Sequence, residues 1–239
     1  MKTYTNTRRV RIRYFIASTA TFAGLMMLVS APMVAIFTSD AISSILPLVL
    51  GVLLSTTGLK LTNRWTRLPD PEETLNKALK GFGKEAALLH LWLPADHVLI
   101  CKHGVFSLTA LHQRLQVSID GNKWKNTTGP LPRLWQTISQ DPLRDPGPKA
   151  IEEAQRTQAW FDEHFPESSA TVQPIIIPTH PKTELYISEP SPVPVTHLHK
   201  GKYSLKEYIR QQSAPTLSEA DVTRLTEILN IPPATKKET

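Results

Sequence analysis

Two apolar segments near the N-terminus constrain this chain more than any other feature. Tyr14 to Phe37 holds no charged residue and exceeds the ~20 residues a helix needs to cross the hydrocarbon of a bilayer. Ile42 to Leu59 is likewise uncharged, shorter, and still long enough. Only Thr38-Ser39-Asp40-Ala41 separates them, which leaves room for a tight turn and nothing more. The sequence therefore predicts a helical membrane hairpin over 14–61, with helices at about 14–37 and 42–61.

Charge gives that hairpin a direction. Lys2, Arg8, Arg9, Arg11 and Arg13 precede it, Lys60, Arg64 and Arg67 close it, and the turn carries Asp40 alone. Lys and Arg collect on the cytoplasmic side of membrane segments. The expectation is a multi-pass protein of the cell membrane with both termini cytoplasmic and residues 1–13 as a basic leader. A cleaved signal peptide, cut after Ala31 or Ala35, is the rival reading. The length of the first segment and the immediate arrival of a second favour an anchor. Neither Tyr14 to Phe37 nor Ile42 to Leu59 contains an Asp, Glu, Lys, Arg or His, so neither offers a proton relay or an ion path. Ala20 and Gly24, Ala31 and Ala35, and Gly51 and Ser55 sit at helical spacing and suit close helix packing in lipid. Pro47 is expected to bend the second helix near its start.

The net charge of +6 looks like a nucleic-acid signal until it is located. Residues 1–67 hold eight basic side chains and one acidic, and the remaining residues hold 19 basic against 20 acidic. The basicity belongs to the membrane flanks. The single cysteine, Cys101, rules out an internal disulfide and suits a reducing compartment.

Beyond Pro69 the pattern is that of an α/β domain. Asp70, Pro71 and Glu73 make a helix start, and Leu75, Ala78, Leu79 and Phe82 form one apolar face. Gly81 and Gly83 interrupt this helix, which is expected to resume over Lys84 to Trp92. Val98 to Cys101 and Val105 to Leu111 read as a β-hairpin about Lys102-His103-Gly104. Gln116 to Ile119 reads as a further strand, closed by a turn at Asp120-Gly121-Asn122-Lys123. A short helix is expected over 133–140, an amphipathic helix from Pro148 to Phe165, and a strand buried on both faces at Ile175-Ile176-Ile177. Ser204 and Glu207 open another helix. The domain is bounded at 69–211, with 212–239 read as a linker, a small helix from Thr216 to Leu229 and a charged tail that stand apart.

Asp96-His97-Val98-Leu99-Ile100 followed by His103-Gly104-Val105-Phe106-Ser107-Leu108 resembles the core of the nuclease-related domain (NERD) family. There an Ile-Asp-His-Val-Val-Val strand passes through a Gly-Val-Phe turn into a strand ending Glu-Thr-Lys. Gly121 to Trp124 is similar to the family's Gly-x-x-Trp, and Asp141-Pro142-Leu143 to its Asn-Pro-Leu. The resemblance runs in order from Leu75 to Ile209 and ends on a late Val193-Pro194-Val195 strand. It implies a central mixed sheet of the restriction-endonuclease-like kind, and metal-dependent nuclease chemistry with Asp96 as a ligand. The chain departs from the family at the chemistry. The glutamate position falls on Thr109 and the lysine position on Leu111. A hard dication holds water and substrate oxygen through converging carboxylates, and one aspartate does not supply them.

Two other function classes are weighed against that site. A nuclease with relocated ligands would draw on Asp96, Asp120 and Glu85 and would need Mg²⁺. A nucleic-acid binder would use Lys123, Trp124 and Lys125, a weak signal against near-neutral charge. His197 and His199 share strand spacing without a third ligand, which gives little support for zinc. His97 and His103 flank the hairpin and read as ordinary histidines. No phosphate loop, Gly-x-Ser-x-Gly or dinucleotide fingerprint occurs. The expectation is a membrane-anchored, catalytically inactive interaction or regulatory module. Its partners would be the lipid bilayer and a protein of unknown identity, and no cofactor is implied.

Overall fold

The computed structural model describes residues 1–40, 42–65, 70–112, 116–127, 145–198 and 204–232. The chain divides into two compact units.

One unit is a pair of helices, α1 (Thr7–Thr38) and α2 (Ile45–Trp65), with a 3-10 turn at Ile42–Ser44 leading into α2. Both are long and apolar enough to cross a membrane, and only 11% of each apolar window is buried. The core helix of a soluble protein would be covered, whereas Phe15, Phe22, Ile36 and Leu46 are each well exposed. The two helices meet along small residues. Ala17, Gly24 and Ala31 are the buried positions of α1. A Cβ added to Gly24 would strike the backbone of Ser55, one added to Gly58 the backbone of Thr21, and one added to Gly51 would crowd Leu28. Small residues thus let the helices approach closely, and those at 24, 51 and 55 serve contact within the hairpin. Pro47 lies in the first turn of α2, where its missing N–H removes no helical bond. The Arg13 guanidinium stands 5.7 Å from the Trp65 ring.

The other unit is α/β and contains the chain's first six residues as well as everything described after Asp70. Its main sheet has the order β1-β2-β3-β4-β7, from β1 (Lys2–Thr5), β2 (Ala87–His90), β3 (His97–Cys101), β4 (Gly104–Leu111) and β7 (Val172–Pro178). The sheet is mixed: β1 runs parallel to β2, β2-β3-β4 is antiparallel, and β7 returns parallel to β4. A second sheet of three strands has the order β6-β5-β8, built from β5 (Gln116–Asp120), β6 (Lys123–Asn126) and β8 (Glu184–Glu189). Gln116 to Ile119 and the turn after it therefore belong to this sheet and do not extend the main one.

Helices cover both faces of the main sheet. On one side Val98, Ile100 and Val105 pack with Ala154 and Phe161 of α4 (Gly147–His164) and with Val222 and Leu225 of α6 (Glu219–Ile228). On the other, Leu99, Phe106 and Leu108 meet Leu75 of α3 (Pro71–Ala78), Leu79 just after it, and Leu205 and Ile209 of α5 (Leu205–Gln211). The alternation along β4 is the period of two that the hairpin reading requires. Ile175, Ile176 and Ile177 are fully buried, as expected of a strand covered on both faces.

Three sequence expectations fail here for physical reasons. Lys84 to Trp92 is not helical. Gly81 and Gly83 hold φ of +102° and +92°, which ends the helix, and Leu88 and Leu89 face opposite sides of the sheet as parts of different cores. Residues 212–232 do not stand apart, because Leu217, Val222 and Leu225 are buried with the main core. Val193 to Val195 forms no extended strand, only a parallel bridge between Ile176 and Val195. The helix expected over 133–140, Asp141 to Leu143, His199 and the charged tail lie outside the described residues.

Candidate functional site

The site to test is the far end of the β3–β4 hairpin. The β3–β4 ladder ends at the pair Val98 and Ser107, two residues short of Asp96, which lies in the turn before β3, and of Thr109 on β4. Asp96 is half-buried, and its carbonyl accepts from the Leu91 N–H at 2.7 Å in the β2–β3 turn.

Thr109 is buried, and its hydroxyl donates to Glu153 Oε2 on α4 at 2.8 Å. Lys149, one turn earlier on the same helix, lies 3.2 Å from Glu153 Oε1. Both carboxylate oxygens of Glu153 are thus engaged. The Glu153 side chain is 15% exposed against 46% for Lys149, so the carboxylate sits largely inside while the ammonium end reaches water. Leu111, at the lysine position, packs with Ala150, Ile176 and Val193. Its carbonyl accepts from the Thr179 N–H and hydroxyl at 2.9 and 3.2 Å. Of the two positions the resemblance singles out, Thr109 offers a neutral hydroxyl and Leu111 a half-buried apolar side chain packed on the core.

The relocated set of Asp96, Asp120 and Glu85 is not assembled. Ala87 pairs with Ile100 at the opposite end of β3, so exposed Glu85 lies some six strand positions from Asp96, or about 20 Å. Asp120 ends β5 in the second sheet, opposite Lys123. Among the described residues no three His, Cys, Asp or Glu side chains come together to hold a metal ion.

The basic-aromatic turn is divided by the sheet. Lys123 and Lys125 are exposed on one face of β6, while Trp124 between them packs with Val117, Ile119 and Val195. A base could not stack on Trp124 while the lysines held its phosphate. His103 Nδ1 lies 3.2 Å from the Gln212 carbonyl, and His197 bridges to Ser204.

One polar cluster escaped the sequence reading. His90 Nδ1 lies 2.8 Å from His97 Nδ1, and His90 Nε2 lies 3.1 Å from Asn76 Oδ1 on α3. With Asn76 accepting, His90 carries its proton on Nε2, and its bare Nδ1 accepts from the Nδ1–H of His97. Burial lowers the His90 pKa to about 4. The two Nδ1 atoms share one proton, and at 2.8 Å they stand closer than the ~3.3 Å between two nitrogens on a tetrahedral zinc. The signal was available: His90 and His97 flank a short turn between two apolar runs, at positions that pair across an antiparallel register. Cys101 is buried, its thiol pushed up by that burial, and so it is a packing residue and no nucleophile.

No known protein family, curated protein or solved structure matches this chain.

Proposed function

We propose that this protein is a membrane-anchored interaction or regulatory module. In this reading an α/β domain similar to the restriction-endonuclease-like core of the NERD family is held on the cytoplasmic side and does not cleave nucleic acid. The observation that carries it is the closed charge set at Thr109. Among the described residues the carboxylate that meets Thr109 comes from Glu153 on α4, and both its oxygens are already taken by Thr109 and Lys149. A hard cation would have to displace both, with Asp96 as the remaining anionic ligand. The pairing of Lys2–Thr5, before the apolar helices, with Ala87–His90, after them, supports placing both ends of the hairpin on one side of the bilayer, and the basic flanks are the argument for the cytoplasmic side. Cleavage after Ala31 or Ala35 would sever β1 from its sheet. The partner in this reading is a protein, since the domain is close to neutral.

Full-length protein in detergent is expected to leave plasmid and single-stranded DNA intact with Mg²⁺ or Mn²⁺. Reporter fusions at Pro69 and the C-terminus should behave as cytoplasmic, while a tag at Ser39 should label from outside.

The same observation favours one second reading. Glu153 brings a carboxylate to Thr109, where the resemblance puts Glu, from a helix instead of the strand, and Lys149 sets a cation beside that carboxylate. Metal-dependent cleavage that disappears in both Asp96→Ala and Glu153→Gln would establish this reading and remove the first.

A further inference from the structure

Two arginines at the head of α1 stand out among the exposed charges of the described residues. From Thr7 to Thr38 that helix contains no acidic residue, in its first turn or later. Arg13 is committed to the Trp65 ring. Arg8 and Arg11 are exposed, and among the described residues their side chains enter no ion pair or hydrogen bond. They are three residues apart, so they share one flank of the helix with Cβ atoms about 5–6 Å apart. Below them on the same flank follow Phe15, Phe22 and Met26, which are 66%, 66% and 55% exposed. Two cations therefore stand directly above an apolar stripe that runs down one side of the helix.

We infer that Arg8 and Arg11 clamp the phosphate of an anionic phospholipid, whose acyl chain lies along Phe15, Phe22 and Met26. This rests on the membrane reading above and adds to it a lipid class and a site. Arginine suits the role because its guanidinium donates several hydrogen bonds in a fixed plane that matches phosphate oxygens. The stripe beneath identifies the phosphate's source. A free phosphate or a nucleic acid arrives from water and reaches only the arginines, whereas a phospholipid in the bilayer meets both the arginines and the apolar flank below them. Arg9 lies about 100° round the helix from Arg8 and is not part of the clamp.

The test is native mass spectrometry of the full-length protein in detergent, offered equal amounts of phosphatidylglycerol and phosphatidylcholine. The wild type should retain the anionic lipid preferentially. Arg8→Gln with Arg11→Gln should reduce that preference by about tenfold. Lys84→Gln with Lys102→Gln, an equal loss of charge from exposed lysines elsewhere, should leave it unchanged. Phe15→Ala with Phe22→Ala should weaken retention of long-chain phosphatidylglycerol while sparing a short-chain form. An unchanged preference in the arginine variant overturns the clamp, as does equal loss in the lysine variant. Preferential binding of single-stranded DNA over lipid at Arg8 and Arg11 would overturn it too. Alkaline carbonate extraction of the same proteins separates the two levels. If the wild type leaves the membrane, the anchor reading itself fails; if it stays and shows no lipid preference, only the clamp fails.

Discussion

At the scale of single residues, the buried histidine pair makes the fold sensitive to pH. His90 is fully buried and neutral, with its pKa lowered from 6.5 to about 4. In the unfolded chain it binds a proton near pH 6.5, so below that pH the unfolded state holds more protons than the folded one. The stability that neutral His90 preserves is complete above pH 6.5. It is lost as pH falls towards 4 and reaches on the order of 3 kcal/mol in total. Protonation would also set two N–H groups against each other across 2.8 Å. Thermal melting in detergent should therefore show a midpoint that drops between pH 6.5 and 5, before most carboxylates titrate. His90→Gln keeps a carbonyl acceptor for His97 and removes the titration, so its midpoint should be flatter over that range. Equal slopes in the two proteins would show that His90 is protonated in the fold. Thr109 marks the limit of reading residues in sequence. The resemblance marks the position from the sequence, but its bond to Glu153 joins residues 44 apart, and nothing local announces it.

At the scale of elements, the legible parts are those whose signal is local. The caps of α3, α5 and α6 lie where Asp70, Ser204 and Ser218 stand, each side chain accepting from a backbone N–H of the first turn. The β3–β4 hairpin and buried β7 follow from apolar runs. β2 was misread as helix because Ala87-Leu88-Leu89 has no strand preference of its own, and its burial between β1 and β3 decides the matter. β8 was missed because it is an exposed edge, with Tyr186 57% and Ile187 40% accessible, so no core pattern marks it. In the helical hairpin the small residues were recognised, but their purpose needed the contacts. Since a Cβ on Gly58 would meet Thr21 backbone, Gly58→Leu should force α1 and α2 apart, at about 1–3 kcal/mol by the usual cost of overpacking. Denaturation in SDS, followed through Trp65 fluorescence, should record that loss. Val52→Leu, on a flank that is 48% exposed, should leave the transition in place.

At the scale of the whole molecule, the order of the chain makes the helical hairpin an insertion between the first two strands of one sheet. A single residue, Asn6, separates β1 from α1, and its N–H donates to the His90 carbonyl at 3.0 Å. β1 could not be read from the sequence because it is four residues long and largely polar, and its partner lies 85 positions away. It nonetheless closes the sheet: Met1 packs on the face with Leu88, Tyr4 on the face with Leu89, and Lys2 N–H donates to the Ala86 carbonyl at 2.7 Å. Without it, the buried strand Ala87–His90 becomes an open apolar edge, the kind of edge that recruits other chains. A fragment beginning at Pro69 is therefore expected to aggregate, although it keeps the helices that cover both faces of the sheet. Joining residues 1–6 to Asp70 through a flexible linker of about a dozen residues, the shortest span that commonly connects parallel strands, should restore a monodisperse domain. Size-exclusion chromatography of the two fragments decides the point. A Pro69 fragment that runs as a stable monomer with the same melting temperature as the linked one would show that β1 is an ornament on the sheet, and would withdraw the strand pairing as an argument for placing both ends of the hairpin on one side of the membrane.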